Sequence, residues 1–163
     1  MRLTELLTKD RVAIRPQGGA GGSGTSGPFA KTDVLELVAR LLATGAHAPE
    51  STVFQVLSER EALQSTGIGD GVAIPHGALG ELGEQCVALV VVRGGVDFDS
   101  IDGNKVNLVF GVIGPKRATG EHLKTLARIS RLLRNRSFRE KLVLAQTSEE
   151  AFALIDNEEG GNS

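Results

Sequence analysis

"CVALVVV" at Cys86–Val92 and "VNLVFGVIG" at Val106–Gly114 are two apolar runs too continuous for strands that bury only one face. Such runs predict strands covered on both sides, and "IDGNK" between them places an Asp-Gly turn at Asp102–Gly103. Working outward, helical spacing appears on either flank. Asp33 and Glu36 predict a capping box for a helix carrying Val34, Leu37, Val38, Leu41 and Leu42, which Gly45 stops. A second helix starts near Pro49, with Val53, Val56 and Leu57 on one face, and runs towards Leu63. Past the strands, helices are expected over about 120–134, 137–145 and 148–156, the first turning Leu123, Leu126, Ala127, Ser130 and Leu133 inward and the last capped by Ser148. Helices before and after central strands predict an α/β fold, a central sheet sandwiched between helices.

With 163 residues, the chain suits one domain over residues 1–156, followed by a frayed tail at 157–163. Six glycines crowd "QGGAGGSGTSGP", Gln17–Pro28, which predicts a flexible insert at 17–28. The insert lacks the Gly-Lys-Ser/Thr ending of a nucleotide-binding loop. A net charge of −2 argues against nucleic acid or an anionic membrane as partner. "RISRLLRNRSFREK", Arg128–Lys141, concentrates cations, yet Glu140 dilutes them, and a solvated helix face is the expected reading over nucleic-acid binding. The single cysteine, Cys86, excludes an intrachain disulfide and reads as a buried thiol of a reducing cytoplasm. No apolar segment is long enough to span a bilayer, so no membrane-embedded part is expected.

Chemistry concentrates in "STGIGDGVAIPHG", Ser65–Gly77. Glycine turns surround a short strand, "VAI", which the Pro75-His76 pair is expected to halt, leaving an imidazole at the strand end. On pattern alone a loop residue is the leading reading of His76, ahead of a catalytic group, a metal ligand or a phosphate carrier. His122 falls in the first turn of a predicted helix, where unpaired amides favour an anion and a neutral imidazole can donate to a phosphoryl oxygen. Arg60, just upstream of the glycine loop, has a guanidinium fork suited to phosphate, or to a surface ion pair with Glu59 or Glu61. His47, in "TGAHAPE", reads as a solvent-facing loop residue.

The block "LSEREALQSTGIGDGVAIPHGAL", followed in order by "GVDFDSIDGNKVNLVFGVIGP" and "EHLKTLARISRLLRNRSFREKL", resembles the enzyme IIA domains of the fructose/mannitol class in the bacterial phosphoenolpyruvate-dependent phosphotransferase system. Within that class the chain looks most like the stand-alone nitrogen-type regulatory version. The resemblance implies a mixed central β-sheet with helices on both faces. It implies that His76 accepts phosphate at Nε2 from the phosphocarrier protein HPr, with Arg60 and His122 flanking it and no cofactor or metal. The downstream partner would be a regulatory target protein or, in sugar transport, a IIB domain. An apolar collar including Ile68 and Ile74 would dock the partner and exclude water. The insert at 17–28 falls where typical members run from a first strand directly into the first helix, so a shortened or edge-displaced strand is expected. A metal-dependent hydrolase using His76, His122 and Asp70 is the remaining alternative, although these residues lack a recurring metal-ligand spacing.

Overall fold

The computed structural model describes residues 2–15, 30–80 and 82–161. The expected flexible insert at 17–28 and residues 162–163 lie outside them. The chain opens with two short 3₁₀ turns, Leu3–Glu5 and Lys9–Arg11, and continues as β1 (Val12–Arg15), α1 (Lys31–Ala46), α2 (Glu50–Leu63), β2 (Gly67–Gly69), β3 (Val72–Ala73), β4 (His76–Leu79), β5 (Cys86–Val96), β6 (Val106–Pro115), α3 (Thr119–Leu132), α4 (Arg136–Val143) and α5 (Ser148–Gly161).

The strands form one mixed sheet in the order β1-β5-β6-β3-β2, with β4 also on β6. β5 and β6 pair antiparallel at its centre, Leu89 opposite Phe110 and Val87 opposite Val112. β1 runs parallel to β5 at one edge over Val12–Arg15. Both central strands are covered on two faces, which is why their sequences are apolar without alternation. Val87, Leu89 and Val91, with Leu108, Phe110 and Val112, join a core shared with the N-terminal leucines and α3–α5. Cys86, Ala88, Val90 and Val92, with Val109 and Ile113, join a second core under α1 and α2. Each fully buried Leu, Val or Phe side chain contributes about 1.5–3 kcal/mol, so these two layers dominate stability.

Several local expectations shift. β5 continues beyond Val92 to Val96, its pairing with β6 changing register between Val91 and Val96, where Gly95 takes φ +81°. α1 begins before Asp33, which occupies the third helical position and accepts the Ala30 N–H at 2.8 Å. Gly45 does not stop α1; the helix passes through it and ends on His47, an exposed left-handed cap at φ +56°. Gly45 is small because a Cβ there would meet the Arg11 guanidinium and Cys86 Sγ. Cys86 is buried, and burial pushes its thiol pKa up, as expected of an inert sulfur.

The inward face of α3 also differs. Leu123 is 59% exposed, while Thr125 and Ile129 are buried and Leu126 and Leu133 pack in the core. For α5, Thr147 rather than Ser148 caps the start, its hydroxyl accepting the Glu150 N–H at 3.0 Å, while Ser148 Oγ donates to the Val12 carbonyl. α5 also runs past Asp156 to Gly161, so residues 157–161 are not a frayed tail. Glu159, nearly buried, accepts the backbone N–H groups of Leu3 (2.6 Å) and Thr4 (3.2 Å) and ties the two ends of the chain together.

Candidate functional site

Pro75 divides one strand line into two. Val72 and Ala73 stand opposite Leu108 and Val109, and beyond the break His76 and Gly77 stand opposite Val112 and Ile113. The offset is unchanged, so the proline costs one ladder donor while its carbonyl still accepts the Val112 N–H at 3.0 Å. β3 stops before Pro75 as expected, but the imidazole stands at the start of a new strand rather than at a strand end, because β6 extends far enough to pair with both pieces. α2 lies directly on this strand start. A Cβ at Gly77 would collide with Val56 Cγ1, so glycine is what lets helix and strand approach so closely.

Half-buried His76 points Nδ1 at the carbonyl oxygen of Ile74, 2.6 Å away. A carbonyl only accepts, so Nδ1 carries the proton and Nε2 keeps its lone pair. Among the described residues nothing hydrogen-bonds Nε2. Ile74 itself donates its N–H to the Thr66 carbonyl at 3.0 Å, and its side chain is buried in the core. It is thus not part of an exposed collar, while Ile68, on β2, is 46% exposed.

His122, in the first turn of α3, brings its ring to 5.6 Å from that of His76, tilted by 52°. It lies over the end of β6, with Nδ1 3.5 Å from where a Gly114 Cβ would sit. Burial, and secondarily the neighbouring His76, hold its pKa below the usual histidine value, so the ring is neutral near pH 7. Its Nδ1 is buried without a hydrogen-bond partner among the described residues. An orphaned lone pair is cheaper there than an orphaned N–H, which places the proton on Nε2 and makes that atom a donor.

Arg60 stands one helical turn beyond Val56 and gives Nη1 to the Gln64 carbonyl at 2.7 Å, closing the C-terminus of α2. The structure thus brings the two histidines into contact and puts Arg60 on the helix packed against β4, with its guanidinium on Gln64. Asp70 does not join them. It sits at φ +58° beside Gly71, whose carbonyl binds the Asn107 and Leu108 amides, about 15 Å down β6 from the Val112 level of His76. The hydrolase reading needs Asp70 beside the histidines, and the topology holds it at the other end of the strand.

Sequence reasoning missed three neighbours of the histidines: the Ile74 carbonyl, Val56 and Gly114. The placement of His122 had a readable signal. His122, Thr125, Leu126, Ile129 and Leu133 form one stripe at helical spacing, with the histidine at the head of the inward face.

A buried strand line that presents an imidazole with one nitrogen pinned and the other free, faced by a second neutral imidazole at a helix start, defines a histidine-centred site on a mixed α/β sandwich. Residues 29–158 match the family described as "Phosphoenolpyruvate-dependent sugar phosphotransferase system, EIIA 2", and the chain belongs to it. It is 35% identical over 164 residues to a "Nitrogen regulatory protein" of Pseudomonas aeruginosa, covering 99% of each chain. The crystal structure of the nitrogen regulatory protein IIA-Ntr from Neisseria meningitidis superposes with a TM-score of 0.81 at 32% identity, over 94% of this chain and 98% of that one. The enzyme IIA of the mannitol system of Escherichia coli, solved in complex with phosphorylated enzyme IIB, shares the fold, with a TM-score of 0.72 at 18% identity over 93% of this chain and 99% of that one. Among the described residues no helix is long and apolar enough to cross a membrane.

Proposed function

We propose that His76 accepts a phosphoryl group at Nε2 from the phosphohistidine of an HPr-type carrier protein, and that the phosphorylated and free forms act as a regulatory switch in the cytoplasm. The observation that carries this reading is the 2.6 Å contact between His76 Nδ1 and the Ile74 carbonyl. It selects the tautomer whose Nε2 lone pair is the nucleophile. In the transfer, Nε2 forms a bond to phosphorus as the N–P bond of the carrier breaks, and the electron pair returns to the carrier's imidazole. The Nδ1 proton of His76 stays on its carbonyl.

Phosphoryl transfer of this kind is loose and metaphosphate-like, so the protein's task is to position the group and neutralise its oxygens. His122 Nε2–H donates to one oxygen, and the first turn of α3 brings its unpaired amides. Arg60 neutralises another oxygen once its guanidinium leaves the Gln64 carbonyl. Similarity to nitrogen regulatory proteins across the whole chain supports the regulatory role. A second reading, in which His76 passes its phosphate to a sugar-specific IIB domain, is supported by the shared fold of the mannitol IIA that binds phosphorylated IIB.

The test is incubation with radiolabelled phosphoenolpyruvate, enzyme I and HPr. The wild type acquires acid-labile, base-stable label and His76→Ala acquires none; label retained in that variant would refute the assignment. Adding a IIB acceptor then separates the readings, since only a transport component discharges to it.

A further inference from the structure

Beyond the histidines, the described residues contain one nearly buried carboxylate beside the site. Glu61, on the last turn of α2, has a side chain only 5% exposed. It meets Lys31 Nζ at 2.9 Å, and Lys31 in turn lies 4.9 Å over the Phe98 ring and 3.3 Å from Asp99. A buried ion pair is weak evidence for stability in itself, because desolvation offsets its attraction. What Glu61 touches next gives it a different task. Its two oxygens accept the Thr66 N–H at 3.0 Å and the Thr66 hydroxyl at 2.5 Å, so Thr66 is gripped at two points. The Thr66 carbonyl takes the Ile74 N–H, and the Ile74 carbonyl takes Nδ1–H of His76.

We propose that Glu61, held by Lys31, is a positioning residue for His76: through Thr66 and Ile74 it aims the carbonyl that fixes the imidazole's tautomer and direction. Each link is a geometric constraint on the next. The carboxylate orients Thr66 on two bonds, Thr66 sets the position of Ile74 from its amide side, and Ile74 presents its carbonyl to the ring. A shift of about 1 Å at a reacting atom costs on the order of a hundredfold in rate, so loosening a link upstream is expected to cost somewhat less. The catalytic consequence rests on the phosphoryl-acceptor reading above; the tautomer does not.

The experiment uses the unphosphorylated full chain with ¹⁵N-labelled histidine near pH 7.5. In the wild type, His76 Nδ1 resonates as a protonated nitrogen and Nε2 as an unprotonated one. In Glu61→Gln the amide oxygen accepts only one of the two Thr66 donors, the NH2 can meet the Thr66 hydroxyl only as a donor, and the charge that Lys31 holds is gone; the two resonances move towards averaged positions and labelling from HPr slows about tenfold. Thr66→Val, lacking the hydroxyl, does the same, and Thr66→Ser, which restores it, recovers the wild-type resonances and most of the rate. A folded Glu61→Gln with wild-type resonances and wild-type labelling overturns the proposal. Should Glu61→Gln fail to fold, Thr66→Val against Thr66→Ser decides on the same two readouts, equal spectra in all three proteins counting against it. A wild type that takes no label at all refutes the phosphoryl-acceptor reading instead, while the resonances still decide the role of Glu61.

Discussion

Replacing Gly77 by alanine tests how closely α2 must sit on the strand that presents His76. Gly77 does not have a positive φ among the described glycines, so alanine introduces no backbone strain there, and its cost is purely steric. The new methyl would overlap Val56 Cγ1, and valine, branched at Cβ, has little rotamer freedom in a helix with which to move aside. Overpacking of one methyl into a rigid contact costs about 1–3 kcal/mol. For a chain of this length that lowers Tm by about 2–4 °C per kcal/mol, so a loss of about 4–8 °C is expected at the midpoint of that range. Val56→Ala alone leaves a small gap worth about 1 kcal/mol. Combined, the two changes relieve each other: the double variant loses less than the sum by at least about 1 kcal/mol. Denaturant unfolding of the four proteins gives the cycle directly, and phosphorylation of His76 should fall in Gly77→Ala and recover in the double variant. Additive losses would mean that the helix–strand contact is not the constraint, and that the reasoning from it is wrong.

Other consequences are as direct. Arg60→Ala should slow phosphoryl transfer to His76 by about 10²- to 10³-fold, the usual cost of losing one charge-stabilising donor, with little change in Tm because its present bond is to an exposed carbonyl; unchanged transfer kinetics would remove Arg60 from the site. His122 has a folded pKa below its unfolded value, so between the two the unfolded chain binds more protons and stability falls as pH drops below about 6.5. In Tm measurements across pH 5–8, His122→Asn should lose that part of the slope; an identical pH profile would contradict the assigned burial. Asn135→Ala removes the side chain that accepts the Phe138 N–H at 3.2 Å and caps α4, and should cost about 0.5–2 kcal/mol in chemical denaturation. Glu159→Ala strips two backbone N–H groups of their acceptor, and should cost about 1–3 kcal/mol and speed amide exchange at Leu3 and Thr4; unchanged exchange would show that the chain ends are held by something else.

Much of the architecture is legible in the residues alone. The unbroken apolar runs at 86–92 and 106–114 announced two-faced burial, and the helices fell close to their expected spans. What went astray was local. Gly45 looked like a helix stop because glycine usually is one, but here its missing side chain makes room for Arg11 and Cys86. Leu123 looked inward because leucine usually is, but it is the stripe led by His122 that buries Thr125, Ile129 and Leu133. Asn157–Gly161 looked frayed because its composition is polar and glycine-rich, and nothing local reveals that Glu159 meets the first turn of the chain.

Taken alone, the order of residues determined which side chains were available for chemistry: an imidazole after proline among glycines, an arginine upstream, a second imidazole at a helix start. Those are properties of short segments, and short segments carry their own periodicity and turn preferences. Only the tertiary structure decided that Asp70 stands at the other end of β6, that both histidines meet across it, and that a backbone carbonyl pins Nδ1 of His76 and leaves Nε2 with its lone pair. Each of these depends on strand register and on the approach of helix to sheet, distances set by packing between residues far apart in the chain, to which no local pattern is sensitive.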